Sequence, residues 1–475
     1  MLKALVVLIG LITQIKTGQV DFCYSANTKP YLYMGTKTAY DYVHGNIGHT
    51  RITDCDPVQI WVLARHGTRY PGACTIKDMS NLSSFRDKIL ENHYVHKIAR
   101  LCEKDLNNLK NWNLYPGLKV EDAKLLTMKG KEDEEYFARR LKFNFPELLL
   151  ANTSDVTVKN YRFRTTATSR TRTSMEAFME GLFGSGTAVS NEELPLHEDI
   201  LLRPYKLCET WSKTNMTYEN HEGNEFLDGP EMGNLIRNVS QRLGFSYVLP
   251  RDTVILMWDT CRFEQAWNIN KSSPWCSVFS TDELLVMEYK DDLFYYYEFG
   301  YGREINKRLG CPLVKDLFSH FSKLQMSMQN DEPKGIFYFA HSATLQTFLA
   351  AMEIARDSKP LKASNYNEQE NRKWRTSLIT PFASNFVAVY HKCKSPSSDR
   401  VAFYLAEKPL TYEGCNEGIC DWNHLQKKLG SFAFNCTMDF CQDSYFSGSF
   451  TSKSAISLVL LLLLCKWISC QCFLS

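Results

Sequence analysis

Three times along the chain a short apolar run ends at a basic or imidazole side chain and then gives way to helical spacing. Ile60-Trp61-Val62-Leu63-Ala64 reads as a buried strand leading into Arg65-His66-Gly67-Thr68-Arg69-Tyr70-Pro71-Gly72. In Tyr161-Arg162-Phe163-Arg164-Thr165-Thr166 apolar and basic positions alternate, as in a short strand with one apolar face. From Thr171 the apolar positions Met175, Phe178, Met179 and Leu182 recur at helical spacing, and Gly184 and Gly186 suit the helix end. Gly335-Ile336-Phe337-Tyr338-Phe339-Ala340 is a third buried run; it stops at His341, and Leu345, Phe348, Leu349 and Met352 continue as a helix. Ser384 to His391 and Val401 to Leu405 read as returning strands. Strand, functional side chain and helix, repeated, predict an α/β fold. Its sheet should be mainly parallel with helices on both faces, and the functional side chains should converge at one sheet edge. The stretches at about 75–150 and 175–310 are richer in helical patterns. Ala123 to Leu141 is one example, acidic early and basic late as the helix dipole favours. These insertions are expected to form a smaller, mostly helical domain over the sheet edge.

The ends carry different patterns. Met1-Leu2-Lys3 followed by the apolar run Ala4–Ile12 has the order of a secretory signal peptide, taken as residues 1–18. Ser447-Gly448-Ser449, a short spacer and the apolar Ala455–Cys465 form the pattern of a lipid (GPI) anchor signal at 447–475. The main domain is then 19–446, expected to reach the outer cell surface through the secretory pathway, with secretion or the endoplasmic reticulum lumen as the alternatives. Six N-glycosylation sequons fit that route, at Asn81, Asn152, Asn215, Asn238, Asn270 and Asn435. So do the 16 cysteines, since an oxidising compartment permits disulfides. Setting aside Cys465, Cys470 and Cys472 leaves 13, an odd number, so one should be free or paired between chains. Cys415 with Cys420 and Cys436 with Cys441 are candidate local bridges. No CxxC pair stands at histidine spacing, so neither a metal nor another cofactor is expected.

Length and charge change the picture little. A chain of 475 residues, 44% hydrophobic, supports a large core and one or two domains. A net charge of +2 gives no case for nucleic acid, and the basic residues matter locally. Arg65 and Arg69 flank His66 at a strand end. Arginine's planar fork matches phosphate oxygens, and a neutral imidazole is a nucleophile near pH 7. Lys159, Arg162, Arg164, Arg170 and Arg172 place five basic residues within fourteen, with no acid among them. Arg170 falls at the strand-to-helix corner, where free backbone N–H groups also favour an anion. For Arg162, Arg164 and Arg172 an ordinary charged surface is the expected role.

The segment Arg65-His66-Gly67-Thr68-Arg69-Tyr70-Pro71 resembles the RHGxRxP signature of the histidine acid phosphatases, the phytase-like branch of the histidine phosphatase superfamily. The resemblance implies that His66 is phosphorylated while Arg65, Arg69, Arg170 and a second catalytic histidine, His341, hold the phosphate. In that family a carboxylate one or two residues after the second histidine protonates the leaving group. Here Ser342 and Ala343 occupy those positions, and neither is a useful acid. Ser273-Pro274-Trp275-Cys276, Glu288-Tyr289-Lys290-Asp291-Asp292-Leu293 and Gly300-Tyr301-Gly302 are similar, in order, to the multiple inositol polyphosphate phosphatase branch. That branch implies hydrolysis of a small polyanionic substrate, an inositol polyphosphate, without a cofactor. The missing acid sets a second expectation beside it: a weakened relative that binds such a ligand without efficient turnover. Oligomeric state is not legible.

Overall fold

The computed structural model describes residues 23–442, apart from 27–28, 49–51, 151–154, 187–188, 218–219, 327–330 and 396–398. The signal-peptide and anchor segments lie outside the described residues, as does Asn152. The sheet is built on β1 (Cys55–Arg65), β2 (Tyr161–Thr166), β3 (Asn191–Leu194), β4 (Gly335–Ala340), β5 (Asn385–Cys393) and β6 (Arg400–Leu405). Short strands β7 (Lys408–Pro409), β8 (Cys415–Asn416) and β9 (Ile419–Asp421) extend it. The order is β3-β2-β4-β1-β5-β6-β9-β8, with β7 pairing β6. The pairs β3–β2, β2–β4 and β4–β1 are parallel; β5 and β6 return antiparallel, so the sheet is mixed around a parallel block.

Alternation along the central strands covers both faces. Trp61 and Leu63 of β1, with Ile336, Tyr338 and Ala340 of β4, face one apolar core. Ile60, Val62 and Ala64, with Phe337 and Phe339, face the other. The first core is closed by helices Arg251–Trp267, Thr281–Glu298, Cys311–Gln325, Ser342–Ala351 and Trp422–Phe434. The second is closed by helices Met128–Asn144 and Ser169–Phe183, through Phe137, Leu141, Met175, Phe178 and Leu182. Burying such runs on both faces is what a parallel block requires. Of the expected insertion at 75–150, helix Met128–Asn144 thus lies on the sheet itself rather than over its edge. It starts at Met128 and not at Ala123, because Lys124 turns with φ 64°. Thr127 then caps the helix, its hydroxyl accepting from the Gly130 N–H at 3.0 Å.

Among the described residues six disulfides join Cys23–Cys102, Cys55–Cys393, Cys208–Cys441, Cys261–Cys276, Cys311–Cys436 and Cys415–Cys420. The local 415–420 bridge forms as expected. The 436–441 bridge does not: Cys436 reaches helix Cys311–Gln325 and Cys441 reaches Cys208, tying the C-terminal segment to two distant helices. Cys74 is disulfide-bonded as well, so none of the thirteen cysteines before the tail is left as a free thiol.

Candidate active site

The strand order places β4 between β1 and β2, all parallel, so their carboxyl ends share one edge. Register aligns Arg65 with Ala340, and the His66 N–H donates to the Ala340 carbonyl at 3.0 Å. His66 and His341 therefore emerge side by side, their rings 5.7 Å apart at 67°. Arg170 enters from the first turn of helix Ser169–Phe183, just beyond β2.

Each imidazole is held in one tautomer by its partners. The His66 Nδ1 lies 2.9 Å from the Gly67 carbonyl, which can only accept, so Nδ1 carries the proton and Nε2 keeps a free lone pair. Arg170 Nη2 can only donate, and lies 3.2 Å from His341 Nδ1; the His341 proton then sits on Nε2, 3.1 Å from Thr166 Oγ1. Both rings are pushed well below the usual histidine range, first by burial and then by Arg170 and the other guanidiniums. Two neutral imidazoles in a cationic pocket, one with an open nitrogen, fit a nucleophile and its companion.

The guanidiniums are braced but not satisfied. Arg65 Nη1 donates to the carbonyls of Thr36 and Thr380, and the group stacks on Phe382 at 4.6 Å. Arg69 Nη1 donates to the Tyr70 carbonyl at 2.7 Å. Among the described residues, the Nε atoms of Arg65, Arg170 and Arg203 are buried without a hydrogen-bond partner. A buried donor left unpaired costs about 1–3 kcal/mol, more when charged, so an anion is the ligand this pocket is built for. Burial and mutual repulsion lower Arg65 and Arg69 to about 9 and Arg170 to about 10.

The structure joins the five residues marked in the sequence, Arg65, His66, Arg69, Arg170 and His341, and separates the others. Arg162 and Arg164 bind Glu192, Arg164 also binds Asp199, and Arg172 pairs with Glu193. Four residues were not anticipated. Buried Lys37 donates to Thr36 Oγ1 at 3.0 Å and is pushed down by burial and by Arg262, Arg69 and Arg65. Arg262 binds Asp291 and Asp259. Arg203 adds its field to His341 and Arg170. Tyr295 acts on Arg65 and Arg69. At the mouth, exposed Lys124 and Lys206 continue the positive field. Ala343 is buried in an apolar cluster with Tyr205, Trp211 and Phe299, and half-buried Tyr295 packs against it, so no carboxylate follows His341.

A sequence profile described as the histidine phosphatase superfamily (branch 2) matches residues 58–405. Multiple inositol polyphosphate phosphatase 1 of Drosophila melanogaster is 35% identical over 442 residues, covering 91% of this chain and 92% of its own. The Homo sapiens protein of the same name is 32% identical over 442 residues, covering 86% and 88%. Among solved structures, a phytase from D. castellii superposes with a TM-score of 0.67 at 17% identity, covering 89% of this chain and 90% of its own. The Bifidobacterium longum multiple inositol polyphosphate phosphatase in complex with inositol hexasulfate superposes with a TM-score of 0.63 at 14% identity, covering 84% and 98%. At those identities the superpositions speak to the fold.

Proposed function

The chain belongs to branch 2 of the histidine phosphatase superfamily, and from that premise we propose that it hydrolyses phosphate monoesters of inositol polyphosphates through a phosphohistidine on His66. The phosphate is held by Arg65, Arg69, Arg170 and His341. His66 Nε2 attacks in line, the alcohol leaves, and water then releases phosphate. Positioning and charge stabilisation dominate phosphoryl transfer, and this pocket supplies both.

The observation that carries the polyphosphate reading is the excess of cations. Beyond the three guanidiniums that clamp one phosphate, Arg203, Lys124 and Lys206 ring the same pocket, whereas Arg262 is already paired with Asp291 and Asp259 and burial among cations pushes Lys37 towards its neutral form. A single monoester dianion does not balance such a field, whereas a ring bearing several phosphates does. The named activities of the Drosophila and human relatives support the same substrate class.

Ala343 favours a second reading, a protein that binds inositol polyphosphate but turns it over poorly. Phosphate release from inositol hexakisphosphate decides between the two. The expected result is release by the wild type and none by His66→Ala, with thermal unfolding of the variant unchanged. Saturable binding of inositol hexakisphosphate with almost no release would establish the binding protein instead.

For location, the proposal is a lipid-anchored protein on the outer cell surface. The disulfides support it, as do the exposed sequon asparagines Asn81, Asn238, Asn270 and Asn435. Among the described residues no helix is long and apolar enough to cross a membrane.

A further inference from the structure

We propose that Tyr295 donates the proton to the departing alkoxide, in place of the carboxylate absent at Ala343. The inference rests on the phosphatase reading above and names a residue for its unfilled step. An inositol alkoxide is a poor leaving group, and positioned proton transfer typically contributes ~10²–10⁴ in rate.

Several observations converge on this hydroxyl. Tyr295 packs against the small apolar cluster that contains Ala343, its ring stacked on Phe299 of that cluster. Its hydroxyl lies against Thr36, the residue whose carbonyl accepts from Arg65 Nη1, which places it beside a guanidinium that flanks the nucleophile. The hydrogen-bond direction also suits a donor. Lys37 Nζ donates to Thr36 Oγ1 at 3.0 Å, and Thr36 Oγ1 in turn donates to the Tyr295 oxygen at a long 3.5 Å. That relay occupies a lone pair of the phenol and leaves its hydrogen uncommitted among the described residues. Burial, Asp291 and Glu298 keep the phenol protonated throughout the working range. Its neighbour Tyr205, in the same cluster as Ala343, is the rival phenol; burial raises it, opposed by Thr344, Arg203 and Arg170. Glu298, one turn further along the same helix, is the rival carboxyl; burial raises it to about 7, opposed by Lys206 and Arg303.

The step balances. His66 Nε2 forms the N–P bond as the P–O bond to the inositol carbon breaks, and the phenolic proton moves to the departing oxygen. The tyrosinate left behind is met by the Thr36 hydroxyl and the Arg65 and Arg69 charges. In the second half, water attacks phosphorus, the N–P bond breaks, and the tyrosinate takes the proton that water gives up.

The test compares kcat/KM on inositol hexakisphosphate and on p-nitrophenyl phosphate, whose phenolate leaves without protonation. Tyr295→Phe keeps the ring that stacks on Phe299 and removes only the hydroxyl. It should lose ~10²-fold or more on inositol hexakisphosphate, and no more than about threefold on the aryl ester. Adding Ala343→Glu to Tyr295→Phe should restore part of the first rate and leave the second alone. Glu298→Gln should stay near wild type on both. Equal losses on the two substrates would make Tyr295 a support for Arg65 and overturn the proposal. So would an unchanged Tyr295→Phe, which hands the proton to a phosphate of the substrate, or a larger loss in Glu298→Gln. Wild-type turnover of the aryl ester alone would also overturn it while leaving the phosphatase intact. Release from neither substrate would sink the phosphatase reading itself.

Discussion

At residue 66 the chemistry depends on an imidazole staying neutral among cations. Burial and Arg170 are the two largest causes holding its proton affinity down, so the unprotonated Nε2 persists below the ordinary histidine range near 6.5. Arg170→Ala therefore has two expected effects. It removes a charge-assisted contact worth about 1.5–3 kcal/mol, hence about 10- to 150-fold in kcat/KM. It also relieves the repulsion on imidazolium, raising the His66 pKa and moving the acid limb of the pH–rate profile to higher pH. Arg172→Ala, which breaks only an exposed pair with Glu193, should change kcat/KM by less than about twofold. An acid limb that stays put in Arg170→Ala, measured on one substrate, would show that another group controls it. The clamp was legible because each of its members stands at a strand end with a helix behind it. Lys37, Arg203, Arg262 and Tyr295 were not, since they arrive from an N-terminal turn, an irregular segment and two long helices whose local patterns resemble any core helix. Lys37 and Tyr295 are brought to the pocket by tertiary packing, part of it against helix Thr281–Glu298, where Gly35 sits against Asp291.

The element that fixes the site is the turn after β1. It is clamped between sheet and helix Met128–Asn144: the Thr127 hydroxyl and N–H both donate to the Thr68 carbonyl, and Thr68 Oγ1 donates to Asp133. Gly67 is needed there for closeness rather than for an unusual dihedral. A Cβ on it would fall 2.3 Å from the Gly130 carbonyl oxygen, and one on Gly130 would fall 2.1 Å from the Thr68 oxygen. The backbone at 67–68 cannot retreat without moving the adjoining His66, nor Gly130 without shifting helix Met128–Asn144. Gly67→Ala should thus lower unfolding free energy by about 1–3 kcal/mol, as overpacking does, and cut activity with it. Gly430→Ala, at a helical glycine whose added Cβ meets nothing within 4 Å, should be neutral or stabilising. Equal thermal midpoints for wild type and Gly67→Ala would mean the two backbones are not locked together. At this scale β1, β2, β4, β5, β6 and the helix after Arg170 were plain in the apolar spacing, whereas β3 and the short β7, β8 and β9 were not. The covering role of Met128–Asn144 was not, because amphipathic spacing says that a face is buried but not against what. Cysteine pairing was hidden for the same reason: Cys55 and Cys393 are 338 residues apart in sequence, yet neighbours across the antiparallel β1–β5 pair.

For the molecule as a whole, the proposed route to the cell surface makes demands on the folded exterior. A glycan attached at an asparagine must be tolerated by the finished fold, and here the sequons divide. Asn81, Asn238, Asn270 and Asn435 are exposed, so an attached sugar would project into solvent. Asn215 is half-buried, and its Oδ1 accepts from Arg303 Nη1 at 3.1 Å; a glycan there would disrupt that contact. Mass spectrometry of protein made in a secretory host should find the four exposed sites occupied and Asn215 occupied least. Phosphatidylinositol-specific phospholipase C should then release the glycoprotein from intact cells, and an unglycosylated product would deny the secretory route outright. If instead the protein stays on the membrane after that treatment and retains the residues following Ser449, the apolar run at 455–465 holds it as a peptide, not as a signal exchanged for lipid. The distinction bears on the chemistry. A lipid-tethered domain, as proposed, would present the cationic mouth formed by Lys124 and Lys206 to solutes outside the cell, and its substrate would have to be supplied there.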